Sequence, residues 1–155
     1  MHLVATAPAR ALLAAHLLRC VPVIEKAATV LRPEDLCYRD EQALKLIWAV
    51  SREWFLSNRK PIPPTYLALE IEKRLAGDPG YAVSMGAADL LSLISTAYSV
   101  PDTLFNPHYV LTAIQEFIDS RRVGQAISDA VESVDPLDAR LDKLMRVYTS
   151  TRISQ

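Results

Sequence analysis

The chain has 155 residues, half of them hydrophobic, 23% of them charged, and a formal net charge of −1. That length suits one compact domain with a real core, and the apolar content excludes a disordered chain. The near-neutral balance argues against a protein that binds nucleic acid unaided, because phosphate neutralisation draws on a basic excess.

Only 4 glycines and 10 prolines occur, and most prolines separate apolar periodic stretches, so short stiff connections between helices are expected. The spacing predicts a first helix over Pro8–Arg19, with Pro8 where a missing N–H costs nothing and Leu12, Leu13, Leu17 and Leu18 mostly on one side. Val21-Pro22 breaks the pattern. A short helix follows through Ile24, Ala27, Ala28 and Leu31, and Leu31–Leu36 reads as the turn that closes it. Asp40 suits an N-cap. Beyond it Leu44, Ile47, Trp48, Ser51, Trp54 and Phe55 recur at helical spacing as far as Asn58. Asn58–Pro64 is a connection. A helix to Leu75 then aligns Leu67, Ile71 and Leu75, and Gly77-Asp78-Pro79-Gly80 ends it. Ala87–Ala97 is a further helix with Leu90, Leu91 and Ile94 inward, closed by Ser99-Val100-Pro101-Asp102.

From Asn106 or Pro107 a longer helical pattern runs to Ser133, and its apolar stripe changes face. At about 100° per residue, Val110, Leu111, Ile114, Phe117 and Ile118 share one side, while Val123, Ile127, Ala130, Val131 and Val134 lie nearly opposite. The switch falls at Ser120-Arg121-Arg122. Asp135-Pro136 pairs an N-cap with a proline at the first helical position. Leu137, Leu141, Leu144 and Tyr148 then repeat at coiled-coil-like spacing. A short turn makes these last two helices an antiparallel hairpin. The expected fold is therefore all-α: a compact bundle of about six helices over 1–121, followed by a C-terminal hairpin over 122–155. A thin hairpin buries little by itself, so Val123, Ile127, Val131, Leu137, Leu141, Leu144 and Tyr148 are the candidate self-association or partner-binding surface. The simpler alternative is a hairpin folded back on the bundle, completing one core.

Catalytic signatures are missing. The chain has no GxxxxGK[ST], GxGxxG, GxSxG or HExxH run, so no enzyme activity and no cofactor are expected of it. Glu70, Glu72, Glu116 and Asp119 are expected on solvated helix faces. His16, inside an apolar run, reads as a packed or edge histidine, and Trp48 as core. Cys20 and Cys37 lack CxxC spacing and read as reduced thiols; with His2, His16 and His108 they form no metal-ligand cluster. Ala11–Leu18 is too short to span a bilayer, and no basic region precedes it as in a signal peptide.

The order of these pieces resembles the N-terminal domain of DnaB-type replicative DNA helicases. The resemblance covers Ala11 to Ile127 and fades beyond. It rests on the apolar helix Ala11–Leu18, the turn Leu31-Arg32-Pro33-Glu34-Asp35-Leu36, the helix around Leu44-Lys45-Leu46-Ile47-Trp48, and Pro61-Ile62 before the helix Thr65–Leu75. Val100-Pro101, followed by Asn106, Tyr109, Ile114 and Arg122, completes it. Their order is more specific than any one of them. Met85-Gly86-Ala87-Ala88 replaces the family's double glycine and tyrosine, Pro63 stands where an acidic cap is usual, and the Asn106–Tyr109 spacing is one short. These departures point to a diverged member of bacterial, phage or plasmid origin.

The resemblance implies a cytoplasmic helical head whose hairpins pair between subunits, as a trimer of dimers above a motor ring. Such a collar stabilises the hexamer and docks primase or a helicase loader, touching DNA only indirectly and no membrane. ATP and magnesium would belong to a motor following Gln155. Two alternatives come from other directions: a helicase-binding domain of a primase or of a phage or plasmid protein, and a helical DNA-binding regulator using Arg52, Arg59 and Lys60, or Arg121 and Arg122.

Overall fold

The computed structural model of the chain describes residues 6–36, 42–79, 87–132 and 145–146. Among these residues the fold is all-helical, with six α-helices, two short 3-10 turns and no strand. Helix α1 spans Ala7–Arg19; the Thr6 hydroxyl caps it by accepting from the Ala9 N–H at 3.2 Å, and Pro8 lies in its first turn. Its burial is not one-sided. Ala11 and every residue from Leu13 to Leu18 are buried, because α1 is flanked by α2 (Val21–Val30), α3 (Gln42–Asn58) and α5 (Ala87–Ser99). The alanines in this run let neighbouring backbones come close.

The break after α1 falls at Cys20, one residue before the expected Val21-Pro22. The Cys20 N–H bonds back to the His16 carbonyl at 3.1 Å. Pro22 then occupies the first turn of α2, where no N–H is needed, and the two helix axes differ by 94°. Helix α2 buries Val23, Ile24, Ala27 and Ala28. The turn after it is a 3-10 turn over Pro33–Asp35, closed by the Arg32 N–H donating to the Asp35 carboxylate at 2.9 Å.

Along α3, Leu44, Ile47, Trp48, Ser51 and Phe55 are buried at the expected spacing. Polar groups on this face bond across to main-chain carbonyls of neighbouring segments. The Trp48 indole N–H donates to Leu31 O at 2.9 Å, the Ser51 hydroxyl to Leu17 O at 2.7 Å, and Arg52 Nε to Ala28 O at 3.0 Å. Arg59, just past α3, takes a left-handed φ of 56° and returns its N–H to Phe55 O at 2.7 Å. This αL closure is unusual for a residue with a Cβ.

Helix α4 (Pro64–Gly77) buries Leu67 and Ile71, with Leu75 half-buried. In α5 the inward set is Leu90, Leu93 and Ala97; Leu91, expected inward, is 66% exposed. The 100° step explains the exchange, since Leu91 and Leu93 flank Leu90 on opposite sides and packing selects one of them. A second 3-10 turn (Asp102–Leu104) leads to α6, Pro107–Glu132. No single described helix is long and apolar enough to cross a membrane.

Contacts divide the chain into one compact unit of residues 2–114 and another from Gln115 onward. The division falls inside α6. Of the buried residues on this helix, Val110 and Ile114 belong to the first unit and Phe117, Ile118, Asp119 and Ala130 to the second.

Candidate docking surface

Helix α6 begins at Asn106, whose side-chain Oδ1 accepts from the Tyr109 N–H at 3.1 Å, with Pro107 at the first helical position. Three of the candidate surface residues lie on this helix at four-residue intervals, a spacing that drifts by only about 40° per step. Val123 is half-buried, Ile127 is 47% exposed and Val131 is 72% exposed. Ala130, between the last two, is buried. The other four candidates, Leu137, Leu141, Leu144 and Tyr148, lie outside the described residues, as do Asp40, Cys37 and the turn at Asp135-Pro136. Met145, next to the expected seam, is 62% exposed.

The remainder of the second unit's described surface is polar. Gln125 donates to Asp129 at 2.9 Å one turn on, and Gln115 does the same to Asp119 at 3.0 Å. Asp119 is buried rather than solvated, which its helical spacing alone did not reveal. The Arg121 guanidinium sits 5.8 Å from the centre of the Phe117 ring. Gly124 faces open space, with nothing within 4 Å of where a Cβ would stand.

Sequence reasoning did not find the side-chain network at the entry to α6. His16 is fully buried in α1, as a packed histidine. Its Nδ1 lies 2.8 Å from Leu12 O and its Nε2 3.0 Å from the Asn106 backbone N–H. Because that N–H can only donate, Nε2 is the acceptor and the proton resides on Nδ1, donated to Leu12. Burial pushes the imidazole below its ordinary value, partly offset by the bond to Leu12. The ring packs against Phe105 at 4.7 Å between centroids. One turn along α1, Arg19 donates to the carbonyls of Ala97 and Val100 and to the Asp102 carboxylate, with its guanidinium 4.9 Å from the Phe105 ring centre. Asn106-Pro107 was legible as a helix start; its tie to His16, ninety positions away, leaves no local signal. Arg10 likewise pairs bidentately with Asp89 at 2.8 and 3.1 Å, and this holds the Asp89 carboxyl below the usual carboxylate range.

Between α3 and α4 lies an open cleft of about 180 Å³. Trp54 in its wall stacks on Tyr66 at 5.0 Å, Glu53 is paired with Arg74, and Glu70 lies 3.3 Å from Lys73. The two carboxylates in its wall, Glu53 and Glu70, are thus each held by a neighbouring cation. Among the described residues no three His, Cys, Asp or Glu side chains converge to hold a metal. Comparison with protein-family models, with curated proteins and with solved structures finds no match.

Proposed function

We propose that this chain is an assembly and docking domain of the kind found at the N-terminus of DnaB-type replicative helicases. In this reading a helical head carries a C-terminal hairpin whose apolar stripe is covered by a second copy. The paired hairpins form a collar that holds a hexamer together and receives primase or a helicase loader. The observation that carries the reading is the change of exposure along α6. Its first half buries Val110, Ile114, Phe117 and Ile118, whereas Ile127 and Val131 stand exposed at helical spacing further along. Covering such a stripe with a second helix gains about 25 cal/mol per Å² of apolar area removed from water, less the cost of ordering both partners.

Light scattering coupled to size exclusion, over a concentration series, tests it. The wild-type chain is expected to run as a dimer or larger assembly. Leu141→Asp or Ile127→Asp is expected to lower the mass while the far-ultraviolet helical signal survives. A wild-type chain that remains monomeric throughout, or variants that keep the wild-type mass, overturn the proposal.

A further inference from the structure

Among the described residues of the first unit, His16 is the one titratable side chain that is fully buried in the core and bonded through both of its polar atoms. Its two bonds demand one protonation state. Nε2 must be bare to receive the Asn106 N–H at 3.0 Å, and Nδ1 must carry the proton given to Leu12 O at 2.8 Å. A second proton on Nε2 would set two N–H groups head to head. The Asn106 bond would break and a charge would be placed on a fully buried side chain.

Among the described residues, the neighbouring side chains do not offset that cost. On α1, Arg19 and His16 both pack on the Phe105 ring, and Arg19 carries a positive charge that offers an imidazolium no partner. On the connection, the Asp102 carboxylate is engaged by Arg19. On α5, the Tyr98 phenol donates to Ile62 O at 3.0 Å and stays neutral. At the start of α2 stands Cys20, a buried thiol. From α3 it is Ser51 that reaches α1, at Leu17 O, while Arg52 turns to Ala28 O on α2. His108, in the first turn of α6, is exposed.

We propose that His16 is a proton-operated latch on the connection between α5 and α6, holding Asn106 when neutral and releasing it when protonated. Asn106 matters because it also starts α6. Its side chain accepts from the Tyr109 N–H, and its carbonyl accepts from the Val110 N–H at 3.1 Å. Loss of the His16 bond therefore loosens the first turn of α6, while Arg19 still grips the C-terminal end of α5.

The test is a nuclear magnetic resonance titration of the full 155-residue chain from about pH 8 to about pH 4.5, following the His16 ring nitrogens and backbone amide protection together. Near neutrality the ring is expected to show the Nδ1–H tautomer. As His16 takes up its second proton, the Asn106 protection factor should fall by up to about tenfold per pH unit on the approach to that midpoint and level off below it, while Leu46 and Ile47 in α3 keep theirs. The step should persist in Asp102→Asn, which removes the carboxylate on the connection. It should vanish in His16→Gln, which offers an acceptor that does not titrate; the wild-type titration decides alone if that variant does not fold. An Nε2–H tautomer, a His16 that stays neutral across the range, or Asn106 protection that ignores His16 protonation overturns the latch. So does loss of protection in α3 at the same midpoint, which would mean global acid unfolding.

Discussion

A single guanidinium, that of Arg19, meets two carbonyls at the end of α5, the carboxylate of Asp102 and the face of Phe105. Replacing it with alanine strips partners from part-buried groups, so Arg19→Ala is expected to cost about 2–3 kcal/mol, read as a lower urea midpoint. The Arg10–Asp89 pair has good bidentate geometry, but the Asp89 side chain is 55% exposed. Asp89→Ala should therefore cost under about 1 kcal/mol in the same assay. Tyr98 sets the behaviour in alkali. Burial pushes its phenol up to about 12 from an ordinary 10.0, with Arg19 opposing the shift. Its neutral form is favoured in the folded chain, so its contribution is intact below the unfolded value of 10.0 and lost as pH rises toward 12. Urea midpoints measured across that window should fall, and Tyr98→Phe should flatten the slope. His16 acts with the opposite sense. Its folded value lies below 6.5, so its contribution is intact above 6.5 and declines as pH falls below it.

Helices α1, α5 and α6 show what spacing reveals about an element and what it leaves open. In α5 both Leu91 and Leu93 flank the buried Leu90. Leu93→Ala removes a buried side chain and is expected to cost about 2–4 kcal/mol. Leu91→Glu changes an exposed position and should stay within about 0.5 kcal/mol of wild type. Thermal unfolding followed by circular dichroism separates these outcomes. In α6, Gly124 lies mid-helix facing open space. Gly124→Ala should raise helix stability by up to about 1 kcal/mol, seen as slower amide exchange from Val123 to Ile127. A helix destabilised by that change would mean that the glycine serves a close approach after all. For α1, the leucines at 12, 13, 17 and 18 suggested a single buried side, yet its alanines and His16 are buried as well. A sequence stripe marks the side that must be covered. It does not say how many neighbours will cover the rest.

At the scale of the whole molecule, residues 2–114 form a core with α1 inside and α2, α3 and α5 against it. The polar bonds from α3 and α1 to distant carbonyls tie this core together. The Trp48 N–H to Leu31 O and the Ser51 hydroxyl to Leu17 O each satisfy a buried acceptor. Trp48→Phe leaves the Leu31 carbonyl unpaired and opens space beside it, so a cost of about 1–3 kcal/mol is expected from urea unfolding. The exposed Ile127 and Val131 belong to the other unit. Substituting them should alter assembly far more than stability, because they are not part of that core.

By itself the sequence determined the all-helical class, the order of the described helices and most of their ends. Those features follow from local rules: Asn106-Pro107 starts a helix, Gly77-Asp78 stops one, and apolar residues return every three to four positions. It also determined that the apolar stripe on α6 changes face, since that is a matter of periodicity along one helix. Only the tertiary structure decided that His16 accepts from Asn106, that Arg19 caps α5, that Asp119 is buried and that Leu91 is not. Each of these depends on which distant backbone or side chain is brought alongside, and spacing along one helix carries no record of its neighbours.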